Sequence, residues 1–303
     1  MNPVQKSILK TLLYFDIFDH PLTKNELFEL NGTIRSSEEF DHDLEELLAS
    51  QIIGHDSGYF FFGDGYEKIR ERIEKHDRAL KHYKIPHFVS GMISRYPFVR
   101  AVMVTGSLSK KSQSTKADID FFVITEPGRL WLCRTILMLF KKVFLLNSKK
   151  YFCINYFIDS VHLEIQEKNI FTATELAYLQ PMNNPDLFRK LIEENAWMKG
   201  FFPNWTMHKI DCRETQNTFL KRFLENVFKG KIGDKLDTAL LNIYRKRSHR
   251  KFANSHKQLF PINFKTEKHV SKHHPNGYQH RIINNYEGKI GEFEMKYKVD
   301  LTI

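Results

Sequence analysis

Val102-Met103-Val104-Thr105-Gly106-Ser107, ten intervening residues, then Asp118-Ile119-Asp120-Phe121-Phe122-Val123-Ile124 form the stretch on which the fold turns. Val99 to Thr105 reads as a strand, and Gly106-Ser107 ends it. Ala117 to Thr125 reads as a second strand, almost continuously apolar, as expected for one buried on both faces. Alternation along it puts Asp118 and Asp120 on one face, with Ile119 pointing the other way. Two carboxylates side by side repel each other unless a cation joins them. Hard oxygen ligands suit Mg²⁺, with Mn²⁺ as the alternative, and Mg²⁺ takes one or two carboxylates plus substrate phosphates. Gly106 lets the backbone approach a phosphate, while the Ser107 hydroxyl and the following amides are donors to it. Lys110, Lys111 and Lys116 in the loop neutralise triphosphate charge. The plainer reading has a solvated lysine turn and two acids capping the next strand. It leaves two carboxylates at the head of a core strand with Lys116 serving only one of them, which is costly.

The strand, the Gly-Ser pair, the spacer and the Asp-x-Asp on an apolar strand together resemble the DNA polymerase β-like nucleotidyltransferase superfamily, over roughly residues 99–166. The resemblance implies transfer of a nucleoside monophosphate from an NTP donor to a hydroxyl acceptor, with release of pyrophosphate. It assigns Asp118 and Asp120 to the metal and Gly106, Ser107, Lys110 and Lys116 to the substrate. The superfamily usually supplies a third carboxylate from a later strand. Glu164, flanked by Leu163 and Ile165, is the preferred catalytic candidate. Asp159 is a rival, although Asp159-Ser160 looks like a turn. If Asn155 holds the position, the protein is a nucleotide-binding or regulatory protein with a weakened site.

Before this stretch, Val4 to Ile17 shows helical spacing that Asp19-His20-Pro21 stops. Thr23-Lys24-Asn25-Glu26 and Ser36-Ser37-Glu38-Glu39 are capping boxes for two more helices. Ile52-Ile53-Gly54 and Tyr59 to Gly63 read as strands joined at Asp56-Ser57-Gly58. Three helices and a hairpin resemble a winged helix. Its third helix carries Glu38, Glu39, Asp41, Asp43, Glu45 and Glu46, and no Lys or Arg lies between Arg35 and Lys68. Such a surface repels the DNA backbone, so protein or intramolecular docking is the expected use.

Residues 67–94 read as linker helices, with Pro86 starting the second. After the Asp strand come a helix from Arg129 to Leu146 and strands at Tyr151 to Ile158 and Val161 to Gln166. Thr172-Ala173-Thr174-Glu175 reads as the cap of a further helix, and 186–252 is helical. The expected fold is therefore an α/β (α+β) mixed sheet of nucleotidyltransferase type, with a winged-helix-like domain at 1–66, the nucleotidyltransferase-like domain at 67–170 and a helical C-terminal region at 171–303. Trp131 and Arg134 are weighed as a frame for a base or phosphate against simple helix packing. The histidines at 269, 273, 274 and 280 lack the acids or cysteines of a metal tract.

A chain of 303 residues with 46 Lys and Arg against 36 Asp and Glu carries a formal charge of +10. That balance favours anionic partners and disfavours polycations such as aminoglycosides. The acceptor is expected to be anionic or a protein hydroxyl. Cys133, Cys153 and Cys212 are odd in number and widely spaced, which fits a reduced cytoplasm. The N-terminus carries no export pattern. The most apolar segment, Leu130 to Leu146, is broken by Arg134, Lys141 and Lys142, so no membrane span is expected.

Overall fold

The computed structural model describes residues 1–303 except 35, 64, 116, 149, 211, 213, 215, 216, 253–263, 274–276 and 303. The chain opens with α1 (Pro3–Asp16), β1 (Leu22–Thr23), α2 (Lys24–Glu29), α3 (Ser37–Ala49), β2 (Gly54–Asp56) and β3 (Tyr59–Phe61). Each of the three helices begins at a capping box, Asn2 with Gln5, Thr23 with Glu26 and Ser36 with Glu39. Each box satisfies two otherwise orphaned amides and so fixes where the helix starts. The strands form a small sheet in the order β1-β3-β2. α3 is tied to α1 by hydrogen bonds from the Asn2 amide to Asp43 (2.5 Å) and from the Gln5 amide to Glu46 (2.6 Å).

Next come α4 (Tyr66–His82), α5 (Lys84–Ser94), β4 (Val99–Thr105), the single turn α6 (Gly106–Ser109), β5 (Asp120–Thr125), α7 (Leu130–Phe144) and β6 (Cys153–Asp159). The remainder supplies α8 (Ile170–Ala177), β7 (Gln180–Pro181), α9 (Pro185–Glu194), α10 (Phe219–Val227), α11 (Lys231–Phe252), β8 (Phe264–Thr266), β9 (Val270–His273) and α12 (Tyr278–Tyr297). A six-stranded mixed sheet runs β7-β4-β5-β6-β9-β8. Within it β5 and β6 are parallel, and the other pairs are antiparallel.

Alternation sorts the central strands into two cores. Ala101, Met103, Phe122, Ile124 and Ile158 face a cluster that runs without a break from Val4 on α1 through α8 and α9 to Phe293 on α12. Val102, Val104, Phe121, Val123 and Phe157 face a second cluster built from α5, α7 and α11. The sheet is thus covered on both sides, which explains the continuously apolar reading of β5.

Two expectations are corrected. Residues 161–166 are not a strand, because the chain turns at Asp159, whose carboxylate accepts from the amides of Val161 and His162 at 3.1 and 3.0 Å. The C-terminal region is not purely helical either, since β7, β8 and β9 complete the central sheet. Among the described residues no helix is long and apolar enough to cross a membrane.

Candidate functional site

The antiparallel pairing of β4 with β5 sets Thr105 opposite Asp120, so the end of one strand and the start of the next meet at one edge of the sheet. Gly106 follows at φ 75°, a left-handed conformation that costs most side chains dearly. A Cβ on Gly106 would lie 2.8 Å from Asp120 Oδ2, so two separate constraints select glycine here. Ile119 is fully buried between Asp118 and Asp120, which are both half-buried. The expected alternation holds, with Asp118 just ahead of the strand.

β6 completes the wall. Its register pairs Asp120 with Cys153 and Phe121 with Ile154, then slips so that Phe122 meets Tyr156. Asn155 falls in the slip, and its amide donates to Asp120 Oδ1 at 2.7 Å. The Cys153 thiol donates in turn to Asn155 Oδ1 at 3.3 Å. Burial, with Asp120 adding to it, pushes the Cys153 thiol up to about 12, so it stays protonated.

A residue that the sequence reading assigned to a helix cap completes the cluster. α8 is capped by Asn169, three residues earlier than expected, and this moves Glu175 into the helix body. From there Glu175 Oε2 accepts from the Thr105 hydroxyl (2.7 Å) and the Gly106 amide (3.2 Å), and Oε1 pairs with Lys110 Nζ at 2.5 Å. Burial alone raises its pKa, but Lys110 and these donors outweigh it and hold Glu175 below the usual carboxylate range. Asp120 goes the other way. Burial pushes it up to about 7; the Cys153 contact opposes this, while Glu175 and Asp118 add to it.

Glu164, the expected third carboxylate, is not brought to this cluster. Asp120 sits at the start of β5 and Thr125, opposite Asp159, at its far end, so Glu164 follows the distal end of the parallel pair. It is exposed there and ion-paired with Lys168 at 2.7 Å. Leu163 and Ile165 are buried on either side, which gives the same apolar-acid-apolar pattern as a site strand from a surface loop. Lys110 is also corrected. Its ammonium reaches Glu175 and the Gly106 carbonyl (3.3 Å), so it braces the turn instead of projecting toward a phosphate. Ser107 lies half-buried beside Gly106, and its carbonyl accepts from the Ser112 amide at 2.9 Å. Lys116 lies outside the described residues.

Tyr278, at the start of α12, borders the cluster. Its ring is 42% exposed and meets the edge of Phe171 at 5.9 Å. Phe171 precedes Glu175 by four residues and shares its face of α8. Burial, with Glu175 and then Asp120 behind it, raises the Tyr278 hydroxyl. Sequence gave no signal for this residue beyond an aromatic at a helix start.

The remaining candidates are structural. The Trp131 indole donates to the Glu267 carbonyl at 2.8 Å, and Arg134 is buried between the rings of Phe157 and Tyr244. His269 stacks on His162 and His273 meets Phe264, while position 274 lies outside the described residues. His42, Asp43 and Glu46 lie close enough to share an ion, but Asp43 and Glu46 already accept from Asn2 and Gln5. Comparison with protein-family models, curated proteins and solved structures returns no match.

Proposed function

We propose that the chain is a metal-dependent nucleotidyltransferase that moves a nucleoside monophosphate from an NTP to a hydroxyl acceptor and releases pyrophosphate. The observation that carries this reading is the packing of Gly106 against Asp120, with Ser107 and Asp118 beside them. A backbone stripped of its Cβ and two adjacent acids at one strand edge are what a polyanion with a bound cation requires.

The donor set suits Mg²⁺, or Mn²⁺ in its place. Asp118, Asp120 and Glu175 act on one another, with Lys110 as the cation among them. An acid displaced to about 7 by burial and like charge is relieved by a divalent cation. Held by Asp118 and Asp120, that ion supplies positive charge to the triphosphate oxygens. Gly106 admits the phosphate chain to the main chain, and the Ser107 hydroxyl donates to it. The exposed face of Tyr278 flanks the nucleoside. The acceptor oxygen bonds to the α-phosphorus as the bond to pyrophosphate breaks, and the acceptor hydroxyl gives up its proton. Catalysis is then positioning and charge neutralisation, with little covalent work for the protein. The net charge of +10 favours an anionic acceptor or a protein hydroxyl.

A second reading is favoured by one contact. Asn155 stands beside Asp120 where a carboxylate would complete the set, and it occupies one of the two Asp120 oxygens. Under that reading the protein binds NTP as a sensor without turnover. In both readings the N-terminal helices and three-stranded sheet serve as a winged-helix-like interaction unit. Glu38, Glu39 and Glu45 are exposed on α3, which disfavours DNA and favours a protein contact. Pyrophosphate release from the four NTPs in the presence of Mg²⁺ or Mn²⁺ separates the two: release that needs both Asp118 and Asp120 supports the transferase, and binding without release supports the sensor.

A further inference from the structure

The loop that follows Gly106 is held from two sides. On the sheet side, Lys110 is locked to Glu175. On the other side, the side chains that reach it come from the N-terminal unit and α4. The buried Arg72 guanidinium donates through Nη2 to Glu26 Oε1 (3.0 Å) and through Nη1 to the Lys111 carbonyl (3.0 Å). His20 Nδ1 lies 3.3 Å from the Ser112 hydroxyl, Arg78 donates to the Gln113 carbonyl at 3.0 Å, and His82 Nδ1 meets Gln113 Oε1 at 3.2 Å. Lys111, which takes the Arg72 bond, adopts φ 50°, a conformation that a free loop with this residue rarely keeps.

This seam differs from the apolar packing around it. His20 Nε2, Arg72 Nε and the Tyr178 hydroxyl are all buried there without a hydrogen-bond partner. Buried polar atoms left unsatisfied in a native core are uncommon and mark strain or a functional contact. A seam of this kind is cheaper to open than the apolar core on either side of it. Coupling between distant parts of a protein requires such a two-state element, one that both parts bias.

We propose that Arg72 is a positioning residue that transmits the seating of the N-terminal unit to the Gly106–Gln113 loop, so that this unit regulates nucleotide binding at the Asp118–Asp120 edge. The regulatory half rests on the nucleotide reading above; the clamp itself does not. A partner that shifts α2 moves Glu26, Glu26 moves Arg72, and Arg72 releases the Lys111 carbonyl.

The test is amide hydrogen exchange on the full chain, alongside binding of a fluorescent mant-ATP probe with Mn²⁺. Arg72→Gln is expected to speed exchange of the 107–113 amides by about tenfold, and to weaken mant-ATP by a similar factor, while α1 and α7 keep their protection. Arg72→Lys, which keeps the charge but cannot bridge two acceptors in one plane, is expected to restore neither. Ser112→Ala removes only the His20 contact and is expected to give a smaller rise in the same amides, a readout available even if the Arg72 variants fail to fold. Unchanged loop exchange, or a rise spread equally through α1 and α7, overturns the clamp. Absence of mant-ATP binding by the natural chain overturns the regulatory half alone, and the exchange result still decides the clamp.

Discussion

The Asn155 amide donates to Asp120 Oδ1 at 2.7 Å, from the point where β6 slips against β5. Asn155→Asp puts a third carboxylate there. Mn²⁺ affinity, followed by calorimetric titration, is expected to rise about tenfold, within the range for groups that support a metal ligand. In chelator the same variant is expected to melt lower than the natural chain, through like-charge repulsion that Mn²⁺ relieves. An unchanged Mn²⁺ affinity contradicts the placement.

Gly106→Ala combines a left-handed backbone with a Cβ 2.8 Å from Asp120 Oδ2. The backbone term alone costs about 1–2 kcal/mol. Urea unfolding is expected to show at least that loss, with nucleotide binding abolished because Asp120 must move. Full retention of binding would place the phosphate site elsewhere.

Glu175→Gln leaves the Lys110 ammonium beside a neutral amide. The pair is partly exposed, at 16% and 26% of the side chains, so the cost falls below that of a fully buried pair, at about 2 kcal/mol. The double variant Lys110→Met with Glu175→Leu is expected to recover much of it, since apolar replacement of a buried pair is often neutral. Chemical denaturation of the three chains measures this; equal losses in the single and double variants would count against the pair as the cause.

How much of this was readable in the sequence depended on whether the signal was local. The capping boxes at Thr23–Glu26 and Ser36–Glu39 and the apolar runs of β4 and β5 are local patterns, and each forms an element within a few residues of its expected place. Gly106, Ser107, Asp118 and Asp120 were legible because one tight strand-loop-strand unit brings them together. Glu175 was not. Its Thr-x-x-Glu setting matches a helix cap, and only the earlier cap at Asn169 frees it for Gly106. Glu164 failed for a related reason, because Leu163 and Ile165 are buried by the surface turn and mimic strand alternation. The strands β7, β8 and β9 are two to four residues long and are set by the sheet edge they join, so periodicity had too little length to report them.

His20 gives a pH test. Burial, followed by the charges of Arg72, Lys110 and Lys75, holds its imidazole well below 6.5. Below that pH the unfolded chain takes up a proton that the folded chain does not, so stability falls as the pH drops from about 6.5 toward the folded value. One such group contributes a slope of up to about 1.4 kcal/mol per pH unit. His20→Gln is expected to flatten the stability profile between about pH 6.5 and 5 by that much, measured by urea unfolding at several pH values. Parallel profiles would show that His20 is protonated alike in both states.

The most direct test is pyrophosphate release, measured side by side in the natural chain, Asp118→Ala, Asp120→Ala and Glu164→Gln, with each NTP, Mn²⁺ or Mg²⁺, and cell extract as acceptor source, after each variant is shown to fold. The account predicts release by the natural chain and by Glu164→Gln, and none by either aspartate variant. Release that survives loss of Asp118 and Asp120, or that disappears with Glu164, contradicts it.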